Sequence, residues 1–290
     1  MRNGVDDLCK DADVLWIEWA TRNAEAVTHD APEIAIRGKA KLVVRIHGIE
    51  AYQGQYQAVD WNLVDHLIFV SDHIRRKVVG EGNVFEPGNF KFPDKLPIHV
   101  IPNGIDMDKW TYKKRQHGYN IAFVGNFIPQ KGLIYILPYL EQLFKKDPKW
   151  HLYMIGDSRN RHIFHGREGE FFDNFIKVNH LEDRITVEPG ATTDLNLWYE
   201  DNQINYVIVP SLAESFSMVV GEAMAKGIKP LINSWWGVED NWPEELTFKN
   251  IDDFNWIFDT PYESEKYHRW VKDRYDLNKV IKEIGEKCNI

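Results

Sequence analysis

Glu214 and Glu222 stand eight positions apart, and Ser215, Phe216, Ser217 and Met218 lie between them. A strand-like run at 205–209 enters this segment, and a helical run at 217–226 leaves it. The small side chains of Ser215 and Ser217 leave backbone N–H groups accessible where the helix begins. Unpaired donors and the helix dipole together suit a phosphate there. Glu222, fixed inside the helix, suits a ribose diol. Glu214, ahead of the helix, can address a different ligand group. Taken alone, two glutamates at this spacing also fit an acidic cap and an exposed helical carboxylate. The strand–turn–helix setting favours the ligand reading.

A second loop points to the same chemistry. Gly125-Asn126-Phe127-Ile128-Pro129-Gln130-Lys131-Gly132 follows the apolar run at 120–124, and Lys131 can set a positive charge beside a diphosphate. The loop is neither a GxxxxGK[ST] phosphate loop nor the GxGxxG dinucleotide fingerprint. Gly156-Asp157 closes another strand-like run, at 150–155. His47-Gly48 ends the run at 41–46, placing an imidazole for a ligand or for a structural role. Asp65-His66 and Asp72-His73 read as turn and capping pairs. The charges of Lys113-Lys114-Arg115 read as solvated linker or as an anionic contact, and those of Arg159, Arg161, His162, His165 and Arg167 read as a solvated loop that could meet an anionic ligand group. No spacing argues for a bound zinc.

These residues need a scaffold that carries loops to one sheet edge. Short apolar runs at 14–17, 41–46, 66–70, 120–124, 150–155, 185–187, 205–209 and 229–232 read as strands. Helical stretches separate them, including 52–64, 72–79 (with Ser71 as cap), 133–144, 171–178, 195–199 and 217–226. Repeated βα units predict parallel, doubly wound sheets with ligands beyond the C-terminal ends of the strands. A polar stretch at 107–118 reads as a linker. The organisation read is 1–110, 111–260 and a tail at 261–290 of two amphipathic helices packing back across the domains.

Forty-four acidic against 35 basic residues give a net charge of −9, which disfavours nucleic acid as a partner. Cys9 and Cys288 stand near opposite ends, so a disulfide is not expected. No run reaches the roughly 18 apolar residues of a membrane span, and the start lacks a signal-peptide pattern. A cytoplasmic protein, free or peripheral to a membrane, is the expectation.

The ordered set Pro102-Asn103-Gly104-Ile105-Asp106, Gly125…Lys131-Gly132, Ile155-Gly156-Asp157 and Glu214-x7-Glu222-Ala-Met-Ala-x-Gly resembles the GT-B retaining glycosyltransferases of family 4. The likeness is strongest over about 99–234. It implies two Rossmann-like α/β domains facing across a cleft, with the first domain shortened. It also implies a nucleotide-sugar donor, a UDP- or GDP-sugar, and a hydroxyl-bearing acceptor: a glycan, lipid-linked or protein-linked.

By resemblance, Lys131, Glu214 and His47 would act on the transferred sugar and its diphosphate. Glu222 would hold the ribose, and Ser215, Phe216, Ser217 and Met218 would wrap sugar and diphosphate, partly through backbone N–H groups. Gly125, Asn126, Gly156, Asp157, Thr193 and Leu195 would line the nucleotide pocket. No metal or other cofactor is expected, because Lys131 and the helix N-terminus supply the charge. Retention is read as front-face attack, in which the leaving phosphate oxygen helps deprotonate the acceptor.

The chain departs from the pattern at three places. Asn126 stands where many relatives carry Arg, Ser217 stands where Gly is usual, and the first domain lacks the usual glycine-rich opening. A partner subunit or a second copy is therefore expected to complete the first domain. The competing reading is a noncatalytic GT-B subunit that binds a glycan or nucleotide sugar and supports a partner enzyme. Trp16, Glu18, Trp19, Glu50 and Tyr52 are the acceptor-side candidates, in polysaccharide or glycoconjugate assembly.

Overall fold

The computed structural model describes residues 12–29, 40–81, 89–156, 167–189 and 194–290. Contacts divide the chain into two α/β units, 1–104 with 278–290, and 105–277. The break thus falls at Gly104 rather than near 110, and the tail is shared between the units.

The first unit has four parallel strands in sequential order: β1 (Val14–Ile17), β2 (Lys41–Ile46), β3 (His66–Phe69) and β4 (Ile98–Val100). Side chains alternate across a strand, and β2 shows the result. Leu42, Val44 and Ile46 enter one apolar cluster with Leu67 and Phe69. Val43 enters another with Ile68, Ile101 and Cys288. Helices α1 (Arg22–His29), α2 (Gly48–Gln53) and α3 (Asp72–Val79) connect the strands. The helix expected over 52–64 is absent. Gly54, at φ +75°, stops α2, and short 3-10 turns follow at Gln55–Ala58 and Trp61–Leu63. Ser71 does occupy the cap position of α3, yet its buried hydroxyl has no partner among the described residues.

The second unit has six parallel strands: β5 (Asn120–Val124), β6 (His151–Gly156), β7 (Ile185–Pro189), β8 (Tyr206–Val209), β9 (Lys229–Asn233) and β10 (Thr247–Phe248). Their order is β10-β9-β8-β5-β6-β7. Counted from β5, this is the doubly wound order 3-2-1-4-5-6 of the Rossmann fold, and it reverses between β5 and β8. The helices are α4 (Leu133–Lys146), α5 (Arg167–Val178), α6 (Leu195–Asp201), α7 (Met218–Ala225), α8 (Ile251–Asp259) and α9 (Ser264–Tyr275). Ile121, Phe123 and Ile208 face α4, while Ala122, Val207 and Val209 face the α7 side. α9 packs on α7 through Tyr267, Val271 and Tyr275.

The last helix, α10 (Leu277–Cys288), returns to the first unit. Val280, Ile284 and Cys288 cover Val43, Ile68 and Ile101 there. No helix among the described residues is long and apolar enough to cross a membrane.

Candidate functional site

In a doubly wound sheet, a crevice opens where the strand order reverses, because the two loops at that point leave to opposite faces. Here those loops begin at Gly125, after β5, and at Pro210, after β8. The chain presses them together. The amide of Leu212 donates to the carbonyl of Gln130 at 2.9 Å. Gly132 has φ +73°, and a Cβ added there would sit 1.9 Å from the Pro210 carbonyl oxygen. Backbone meets backbone, so only glycine fits.

Lys131 ends a single 3-10 turn, Pro129–Lys131, and reaches across this junction. Its Nζ donates to Oε1 of Glu214 at 2.5 Å, and the Ser211 hydroxyl donates to the same oxygen at 2.8 Å. Asn233 at the end of β9 holds the Ser211 carbonyl at 2.9 Å. Glu214 is 15% exposed and Lys131 33%, so the pair borders solvent without lying open to it.

Beyond Glu214 the chain turns into α7. Ser217 takes the N-cap position at φ +69° and makes no side-chain cap bond. A non-glycine residue in that region is strained. Phe216 has a fully buried ring between Trp242 and Tyr275, and its carbonyl accepts from Trp242 Nε1 at 2.6 Å. Its side chain is thus core, and only its backbone can face a ligand. Ser215 is half-buried, and Met218 is exposed at the first turn of α7. Glu222 sits one turn further on. Burial pushes its carboxyl up to about 7, against the pull of Lys109. The buried Tyr199 hydroxyl has no partner among the described residues, and burial and the charge of Glu222 both raise its pKa.

The floor of the crevice is glycine. Gly125 donates to the Ile155 carbonyl at 3.0 Å, and a Cβ on Gly156 would meet the Gly125 carbonyl at 2.1 Å. A Cβ on Gly125 would meet nothing within 4 Å, so space lies in front of it. Asn126 is exposed. Leu195 is half-buried at the start of α6, where Asp194 caps the helix through the Asn196 amide at 2.9 Å. Asp157 and Thr193 lie outside the described residues, as do Arg159, Arg161, His162 and His165. Arg115, read as linker charge, is instead a staple: it bonds Glu200 at 2.5 Å and the Ile204 carbonyl at 2.9 Å.

In the first unit, His47 caps α2, and its Nε2 lies 2.8 Å from Glu18 Oε1. The same oxygen accepts from Arg45 at 2.9 Å, and Trp16 Nε1 donates to Oε2 at 2.6 Å. Burial pushes the Glu18 carboxyl up, but the hydrogen bond from His47, the charge of Arg45 and the Trp16 donor outweigh it, and the net shift is downward. Trp19 is half exposed, with its ring 5.7 Å from that of His47. Glu50, an acceptor-side candidate, is fully buried and binds the amides of Ala20 at 3.0 Å and His47 at 3.3 Å, so it is a strut. Tyr52 is partly exposed, under the ammonium of Lys77 at 4.9 Å.

Two residues of these clusters escaped sequence reasoning. Arg45 was visible as the charge inside the apolar run at 42–46. Tyr199 carries no sequence signal, because only the fold brings it near Glu222.

The family described as Glycosyl transferases group 1 matches residues 118–242, the span that holds both loops. That span is similar to the group 1 glycosyltransferases, and the chain has a GT-B fold. Among the relatives, an uncharacterized glycosyltransferase of Haemophilus influenzae is 34% identical over 108 residues, 37% of this chain and 28% of that protein. A GDP-mannose:cellobiosyl-diphosphopolyprenol alpha-mannosyltransferase of Xanthomonas campestris is 25% identical over 137 residues, 47% of this chain and 34% of that one. The match thus spans about a third of the length of these curated relatives. Sucrose-phosphate synthase of Thermosynechococcus elongatus shares the fold, with TM-score 0.70 over 94% of this chain and 72% of that one, at 16% identity.

Proposed function

We propose that this chain is a retaining glycosyltransferase that moves a sugar from a UDP- or GDP-sugar to a hydroxyl acceptor. The observation that carries the reading is the Lys131–Glu214 pair at the switch point, next to the N-terminus of α7. A leaving nucleoside diphosphate gathers negative charge, and an ammonium and backbone N–H groups placed beforehand stabilise it. In this reading Lys131 and the start of α7 bind the diphosphate. Glu214 orders the hydroxyls of the donor sugar, and Glu222 holds the ribose. The open space before Gly125 takes the nucleotide, with Asn126, Gly156, Asp157, Thr193 and Leu195 around it.

His47, oriented by Glu18, is assigned to the transfer step, and exposed Trp19 to acceptor stacking. Front-face attack, with the leaving phosphate oxygen taking the acceptor proton, accounts for retention without a second nucleophile. One relative is named for a GDP-sugar donor and a polyprenol diphosphate-linked acceptor, which supports glycoconjugate assembly as the setting. A homo-oligomer or partner subunit remains part of the proposal.

The uncharged, exposed Asn126 favours a second reading, a noncatalytic subunit that binds the donor for a partner enzyme. A panel of nucleotide sugars with varied bases and sugars, followed by ligand-observed NMR and by release of the nucleoside diphosphate, separates the two. Binding with turnover supports the enzyme. Binding without turnover for every acceptor tried supports the subunit. Binding of no donor sinks both.

A further inference from the structure

Away from the switch point, the first unit gathers three metal-binding side chains. His66 starts β3, His99 lies in β4 and Cys288 ends α10. One nitrogen from each imidazole and the Cys288 sulfur all lie within 4.8 Å of one another. The strand register explains the meeting. Ile68 pairs with His99, and His66 is two positions before Ile68, so both imidazoles point to one face. That face is the one α10 covers, since Ile68 packs with Val280 and Cys288.

His66 Nδ1 and His99 Nε2 are 3.3 Å apart. Tetrahedral zinc with Zn–N bonds of about 2.0–2.1 Å holds two nitrogens about 3.3–3.4 Å apart. Burial lowers the pKa of both imidazoles. The charge of Lys41 adds to this at His66, and His66 and Lys287 add to it at His99.

Burial raises the Cys288 thiol, but the Lys41 and Lys287 charges act the other way, and a bound metal would ionise it. Both lysines have anionic or carbonyl partners. Lys41 Nζ bonds the Asn289 carbonyl at 2.6 Å, and Lys287 pairs with Glu283 at 2.6 Å. The sulfur also lies at the C-terminus of α10, the helix end whose dipole favours a cation.

We propose that His66, His99 and Cys288 form a zinc site that fastens α10 to the sheet of the first unit, with water as the fourth ligand. Two nitrogens, one thiolate and an open position are a set zinc accepts. The ion would join residues far apart in the chain, and its binding energy would add to the stability of this unit. The site is separate from the transfer site and does not depend on its assignment.

The test uses the full chain without a polyhistidine tag, stripped with a chelator and then given zinc or cobalt. One equivalent of zinc should bind and raise the melting temperature. Cobalt should give a near-ultraviolet thiolate-to-cobalt band, and Cys288→Ser should abolish it. His99→Gln keeps the thiol and should weaken zinc binding at least about tenfold, which preserves the test if Cys288→Ser fails to fold. No stoichiometric metal would overturn the proposal and leave a simple imidazole–imidazole hydrogen bond. Cobalt bound without the thiolate band, or zinc held equally by His99→Gln, would overturn it too.

Discussion

Lys131 Nζ lies 2.5 Å from Glu214 Oε1, and this contact ties the loop after β5 to the loop after β8. The two residues should therefore behave as one unit. Lys131→Ala and Glu214→Gln should each lower kcat/KM for the donor by about 10²–10³-fold. The double variant should lose little more than either single one. Stability should fall by only about 1 kcal/mol, because the pair borders solvent. Initial rates and thermal melts check this, and wild-type rates in both single variants would remove the pair from the site.

Glu222 makes the unliganded protein pH-sensitive. Its carboxyl titrates at about 7 in the fold, against an ordinary 4.5. The folded state thus prefers the protonated form. Below the ordinary value there is no penalty. Stability from this group falls as pH rises from there to about 7, and the full penalty, at most about 3 kcal/mol, applies above that. Glu222→Gln should melt higher than wild type at pH 8 and about equally at pH 4. A nucleotide that uses the carboxylate should bind with proton release near pH 7, readable by calorimetry in buffers of different ionisation heat.

Two backbone positions should respond with opposite signs. Ser217→Gly relieves a strained φ of +69°, and this relief should outweigh glycine's unfolded-state entropy and stabilise by about 1 kcal/mol. Gly132→Ala puts a Cβ against the Pro210 carbonyl and should destabilise by at least about 2 kcal/mol. Urea unfolding measures both. A neutral Gly132→Ala would mean the two loops are not in contact.

Glu18 holds His47 and Arg45 through one oxygen. Its carboxyl titrates below the usual range, so its contribution is present above the ordinary value of 4.5 and disappears as pH falls through the lower, folded value. Glu18→Gln should cost about 1–2 kcal/mol at pH 7, with the gap to wild type closing in acid. If His47 serves transfer, the variant should also shift the pH profile of kcat while leaving donor KM unchanged. A profile identical to wild type would leave Glu18 with a structural role alone.

The fold was legible because every strand of the two sheets except β4, β9 and β10 is a short apolar run that leads into a helix. β10 has two residues and no pattern of its own. The two loops at the switch point were legible because glycine and charge mark them. The positions of Phe216 and Glu50 were not: an aromatic ring in a loop and a glutamate in a first helical turn look exposed, and only tertiary packing buries them. Arg115 was misread because its carboxylate partner lies 85 residues away. The tail holds two helices, and amphipathic spacing cannot say that α9 packs on the second unit and α10 on the first.

The return of α10 to the first unit sets an order on assembly. On the ribosome, every strand of both sheets emerges before this helix does. The second unit, contiguous from Ile105 to Leu277, can complete its core as it leaves the tunnel. The first unit cannot, because Val43, Ile68 and Ile101 stay uncovered until Val280 and Cys288 arrive. The part of the molecule made first is therefore finished last, and in the interval its bare sheet face is the surface a chaperone would hold.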